Sequence, residues 1–219
     1  MSTQTGRQSA EGESPVRGQR RRAATRARLL DGALEVIAER GFHGASVEDI
    51  CEAAGFTRGA FYSNFASKDE LVLALFEAST DRLLEEIDAL LREYGDEPRS
   101  LLDAVLSMLD ETVPDQRRWH LVSTEFALHA LRDPDAAKAW NKQRAAFRKK
   151  LTTVVEASVA MNGQALTVDP DLFVRLVVAL HEGARVQCLL EPRKLRAGTL
   201  ERTFLPMVLD AVTTRGEPV

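Results

Sequence analysis

Residues 46–70, SVEDICEAAGFTRGAFYSNFASKDE, leave the backbone little choice. Val47, Ile50, Cys51 and Ala54 recur at spacings of three and four, so they share one face of a short helix and leave Glu48, Asp49 and Glu52 in water. Ser46 is a natural N-cap, with Asp49 at the capping-box position. Gly55 supplies the positive φ that a sharp helix stop needs, and Thr57 caps a new helix almost at once. A turn that short is no linker, so the two helices form one unit. Phe56 and Phe61 take the two positions of a hydrophobic staple, which fixes how the second helix leaves the turn.

At about 100° per residue, Phe61 and Phe65 point into the core and Gly59 and Ser63 lie opposite, flanked by Ala60 and Tyr62. That outer face is small and uncharged. It lets the backbone approach a surface closely, as a helix in a DNA major groove must, while Arg58, Ser63 and Asn64 offer polar groups to bases or phosphates. Tyr62 can set its hydroxyl against a phosphate. Ser67 and Glu70 make a capping box for the next helix, yet Lys68 puts a cation in its first turn, where the dipole disfavours one. An anion outside the protein would account for that lysine.

The run from a helix ending in ERGF through TRGAFYSNFASKDEL resembles the N-terminal domain of TetR-family transcriptional regulators. The likeness is carried by the glycine turn, the pair Phe61 and Tyr62, Phe65, and a lysine ahead of an acidic pair and Leu71. It covers about residues 24 to 75; beyond them it is one of helical architecture only. Asn64 stands where the family usually has His, and Arg58 where a lysine or serine is often seen, so no operator sequence carries over. The resemblance implies a homodimer on a palindromic operator in double-stranded DNA, and a helical bundle that binds a small-molecule effector of unspecified chemistry.

With 219 residues and 44% apolar content the chain can bury a good core in one or two domains. It has no apolar run of about 18 residues for a membrane span and no secretory signal at its start, so a cytoplasmic protein without membrane contact is expected. Cys51 and Cys188 read as small core residues rather than a disulfide. The net charge of −4 hides an asymmetry: Ser14 to Leu30 contains no acid but holds Arg17, Arg20, Arg21, Arg22, Arg26 and Arg28. Two readings stand for it, a solvated disordered leader and an arm that touches phosphates or the minor groove; its place beside the reading unit favours the second.

The other helices follow from their own signals. Residues 25–40 carry Leu30, Ala33, Leu34, Ile37 and Ala38 on one face, with Gly41 as the stop. A fourth helix runs from Lys68 to about Tyr94 with Leu75, Leu83, Ile87, Leu90 and Leu91 inward. Then come Pro98 to Val113, Pro114 to Leu131, a helix opened by Asp133 and Pro134 and stopped at Asn162 and Gly163, one opened by Asp169 and Pro170, and a last one from Thr199 to about Thr213 that Pro206 should bend. No strand-like alternation interrupts them. The expected fold is all-α with about nine helices: a disordered arm over 1–22, a helix-turn-helix DNA-binding domain over 23–68, and an effector-binding and dimerisation bundle over 69–215.

The candidate DNA contacts are Arg22, Thr25, Arg26, Ser46, Thr57, Arg58, Gly59, Tyr62, Ser63, Asn64 and Lys68. The helix from Pro170 is apolar on two sides, one carrying Leu172, Leu176, Ala179, Gly183, Val186 and Leu190, the other Phe173, Val177, Leu180, Ala184 and Cys188. One side can face the core while the other pairs subunits, unless the helix is buried wholly in its own. The expected dimer interface is Phe173, Val177, Leu180, Ala184 and Cys188 with Phe204, Met207 and Val208. Trp119, Val122, Phe126 and His129 form a core stripe first; with Met108, Glu125 and Trp140 they are also the candidate effector walls, because the resemblance places the effector in this bundle.

For catalysis the chain has no HExxH, GxSxG, phosphate-loop or CxxC pattern, and its four histidines lack metal-ligand spacing, so neither an enzyme, a metal nor a cofactor is expected. Two functions remain: a homodimeric repressor released by a small molecule, and a helical protein–protein interaction regulator without one.

Overall fold

A computed structural model describes residues 15–94 and 114–215, and among these the chain forms eight helices and one short ribbon. α1 spans Pro15–Gly44, α2 Val47–Ala54, α3 Arg58–Tyr62 and α4 Lys68–Tyr94. α5 is Pro114–Ala130, α6 Pro134–Met161, α7 Pro170–Leu190 and α8 Thr199–Val212. The helix expected over Pro98 to Val113, with Met108, lies outside the described residues. So does the side chain of Leu91.

The caps named from sequence are in place. Ser46 and Asp49 bond each other reciprocally ahead of α2, and Gly55 closes it at φ 71° and ψ 37°. Asp133 and Asp169 cap α6 and α7, each followed by proline at the first helical position. Ser67 accepts from Glu70 N–H, but the Glu70 carboxylate reaches back to Ala66 N–H instead of that of Ser67.

The arm expected to be disordered over 1–22 is helical from Pro15 onward. Alanine and arginine are strong helix formers, and Arg22 of the arm finds an acceptor at the end of α3, as Arg26 and Arg28 just beyond it do at the ends of α3 and α2. Gly41 breaks α1 at φ 76° and ψ 162°, and the chain resumes for one further turn through Phe42. The buried face of α1 is Leu29, Ala33, Val36 and Ile37, while Leu30, Leu34 and Ala38 are only partly buried. Gly32, on that face, is required: a Cβ there would stand 3.0 Å from Ala54 N and 3.2 Å from Ile50 O, so α1 and α2 cross backbone to backbone.

Two cores result. The first joins α1, α2, α3 and the start of α4 to α5 and α6, through Leu29, Ile37, Phe42, Ile50, Phe61, Phe65, Val122, Phe126 and Trp140. It therefore crosses the boundary drawn at residue 68. The second gathers Ile87, Val155, Val159, Phe173 and Val174. Leu83, expected inward, is 37% exposed. Beside the second core, β1 (Gln164–Leu166) pairs antiparallel with β2 (Thr213–Arg215), Ala165 opposite Thr214, which corrects the expectation of no strands.

Candidate nucleic-acid interface

α3 is a single helical turn and a half, held from behind by Phe61 and Phe65, both almost fully buried. Burying such a ring contributes about 1.5–3 kcal/mol, enough to fix so short a helix that has few hydrogen bonds of its own. Thr57 Oγ1 accepts from Ala60 N–H at 3.3 Å and caps it. Gly59, Tyr62 and Ser63 are exposed on its outer face, with Arg58 exposed beside them, while Ala60, expected on the same face, is only partly exposed. Ser63 Oγ donates to Ala60 O at 2.9 Å.

Of these, Arg58 is already engaged. Its Nη1 lies 2.5 Å from Glu48 Oε1 on α2, and its guanidinium carbon 5.8 Å from the Tyr62 ring centroid. Hydrogen bonding to Tyr62, and then the charge of Glu48, hold its pKa above the ordinary value.

The other candidates are mostly occupied inside the chain. Arg22 Nη2 donates to Ser63 O at 3.2 Å and Arg26 Nη1 to Asn64 O at 3.3 Å, with the Arg26 guanidinium carbon 4.4 Å from the Phe65 ring centroid. Arg28, counted in the arginine cluster but not among the named contacts, donates to Ala54 O at 2.8 Å over the Phe56 ring. These cations sit where the carbonyl ends of α2 and α3 are negative. α1 thus clamps the reading pair from its open end. Thr25 Oγ1 turns back to Arg21 O at 3.0 Å, and Ser46 Oγ is taken up by Asp49. Asn64 Nδ2 donates to Ala60 O at 2.8 Å and is part-buried.

Lys68 is a correction. Its ammonium points inward, donating to Phe42 O and, at 2.7 Å, to Ala45 O, above the Phe42 ring. It neutralises carbonyls at the end of α1, and no external anion is needed to explain it. Burial pushes its pKa below the usual lysine value.

The residues named as effector walls lie elsewhere than on an open wall. Val122 and Phe126 are fully buried and Trp140 nearly so, in the core behind Phe42 and Phe76, with Trp119 packed against it. Glu125 Oε2 accepts from Phe42 N–H at 3.3 Å, and His129 Nε2 lies 3.1 Å from Asp69 Oδ2 in the first turn of α4. This face of α5 grips the reading unit.

The dimer face is also corrected. Phe173 and Ala184 are 7% and 2% exposed and belong to the subunit's own interior, with Val177, Leu180 and Cys188 half-buried beside them. The opposite stripe of α7, Leu172, Leu176, Ala179, Gly183, Val186 and Leu190, is exposed along its length. On α8, Phe204 and Met207 are exposed and Val208 packs on the second core. Sequence reading missed the polar contacts that tie α7 to its neighbours: His181 Nδ1 lies 3.0 Å from buried Glu201 Oε1 of α8, Arg185 Nη2 donates to Gln116 Oε1 of α5 at 2.5 Å, and Glu182 pairs with Arg144 of α6 at 2.9 Å. Both cysteines are free thiols.

Among the described residues no helix is long and apolar enough to cross a membrane. Residues 29–75 match the family described as bacterial regulatory proteins, tetR family, and residues 98–210, more than half of the chain, match the BetI-type transcriptional repressor C-terminal family. The HTH-type transcriptional repressor Rv1474c of Mycobacterium tuberculosis is 33% identical over 123 residues, 56% of this chain and 60% of that relative's length. Among solved structures, Salmonella enterica GusR superposes with a TM-score of 0.68 at 24% identity, over 85% of this chain and 96% of that one. The transcriptional regulator FadR of Bacillus subtilis, solved in complex with stearoyl-CoA, gives 0.68 at 18% identity over 85% and 98%.

Proposed function

The chain belongs to the tetR family of bacterial regulatory proteins, and from that premise we propose that it is a cytoplasmic, homodimeric transcriptional repressor that a small molecule releases from a palindromic operator. The observation that carries the reading is α3 itself: a capped turn seated on Phe61 and Phe65 that presents Arg58, Gly59, Tyr62 and Ser63 outward without a bulky side chain at its centre. Such a face fits a major groove, with Arg58 as the bidentate donor and Tyr62 as a phosphate contact. Two copies reading successive grooves need a rigid dimer, and the exposed stripe of α7 with Phe204 and Met207 of α8 is the apolar surface that can supply it.

Residues 23–68 are then the reading unit and 69–215 the bundle that senses the effector. Release by a ligand is supported by the FadR structure, which holds stearoyl-CoA, and by the grip of α5 on both α1 and α4. A ligand that prefers one setting of α5 would move the reading unit with it.

Selection of bound fragments from random DNA by the purified protein tests this. A two-fold symmetric site should emerge, and Arg58→Ala should lose about 1–3 kcal/mol on it and relax preference at one base pair per half-site. Recovery of no preferred sequence would sink the reading.

A further inference from the structure

We propose that Glu48 is a specificity-determining positioning residue, which holds Arg58 for a base edge and away from the phosphate backbone. The inference rests on the DNA-reading function above. Arg58 opens α3, where the helix dipole disfavours a cation, while Glu48 lies in the first turn of α2, where an acid is favoured. The 2.5 Å contact between Arg58 Nη1 and Glu48 Oε1 ties the two helices across the turn, and the Tyr62 ring flanks the guanidinium from its own helix. Asp49, the neighbouring acid, is taken up by Ser46 and by Arg40 at 2.7 Å, so Glu48 is the carboxylate that serves Arg58.

Both partners are well exposed, 61% for Arg58 and 55% for Glu48, so their pairing adds little to stability. Its consequence lies in what Arg58 can bind next. A guanidinium carries five N–H donors, and with one on Glu48 and one turned to Tyr62 enough remain to fork onto guanine O6 and N7. A phosphate that approaches Arg58 also meets the Glu48 carboxylate and is repelled, whereas a base edge carries no net charge. Glu48 therefore turns a cation useful on any DNA into one that rewards a particular base pair.

The test uses the full chain, a fragment selected from random DNA, and a scrambled fragment, titrated over a salt series. Glu48→Ala removes both charge and acceptor; it should bind scrambled DNA roughly three- to tenfold tighter, with a slope of log K against log salt steeper by about 0.9 per subunit, and lose preference at one base pair per half-site. Glu48→Gln keeps an acceptor and should show the salt change while retaining most of the base preference. In an Arg58→Ala background neither substitution should matter. An unchanged slope and unchanged preference in Glu48→Ala overturn the proposal, as does an equal effect with Arg58 absent, which would make Glu48 a general surface charge. A wild-type protein that selects no DNA overturns the DNA-reading function itself and the role of Glu48 with it.

Discussion

Glu125 Oε2 lies 3.3 Å from the backbone nitrogen of Phe42, at the point where α1 breaks. A Cβ on Gly41 would stand 3.3 Å from the same oxygen, so the positive φ of this glycine and the carboxylate of α5 belong to one arrangement. One turn further on the same face of α5, His129 meets Asp69. The end of α1 and the start of α4 are thus fastened to a single helix of the bundle.

Glu125→Ala should leave Phe42 N–H without its partner and cost about 1–3 kcal/mol, while Glu125→Gln, which keeps an acceptor, should recover most of that. Urea unfolding curves measure both. An alanine variant as stable as the wild type would mean that the contact ties nothing.

Lys68 should behave as a structural cation. Lys68→Met removes the charged donor from Phe42 O and Ala45 O, and a loss of about 1–3 kcal/mol is expected, with no change in the salt dependence of DNA binding. The opposite pattern, intact stability with a slope flatter by about 0.9 per subunit, would return Lys68 to the phosphate contacts.

The two stripes of α7 make opposite predictions. Leu176 is 49% exposed and Ala184 is 2% exposed. Leu176→Arg should give a folded monomer, because the new charge falls in the pairing face. Ala184→Arg should unfold the subunit, because it buries an unpaired charge among its own helices. Light scattering with circular dichroism separates the cases, and a dimeric Leu176→Arg would move the interface off this stripe.

What sequence could reveal here was what is local. Ser46 with Asp49, Gly55 and Thr57 act over three residues or fewer, so their types and spacing are sufficient to place α2 and α3. The arginines of α1 read as free cations because their acceptors lie 41, 38 and 26 residues away, at Ser63, Asn64 and Ala54. The same limit applies to α7. Periodicity offered two equally apolar stripes, and only the packing of Phe173 with Val155 and Val159 of α6 decides which one turns inward. Gly32 gave no signal at all, since its function is the closeness of Ala54 and Ile50.

His120 of α5 is half-buried, and burial, followed by the charge of Arg185, pushes its pKa below the ordinary 6.5, although Glu182 pulls the other way. Arg185 cannot readily withdraw, because its Nη2 is held by Gln116 Oε1, one turn before His120 on the same helix. The folded chain therefore binds this proton less readily than the unfolded chain does. Its contribution to stability is fully present above pH 6.5 and is lost as the pH falls through the lower folded value. Melting temperatures measured between about pH 5 and 8 should fall on the acid side more steeply for the wild type than for His120→Gln, which has nothing to titrate there. Arg185→Gln should reduce the wild-type drop without abolishing it, since burial, the larger cause, remains. Parallel curves for the wild type and His120→Gln would show that the acid sensitivity lies in other groups.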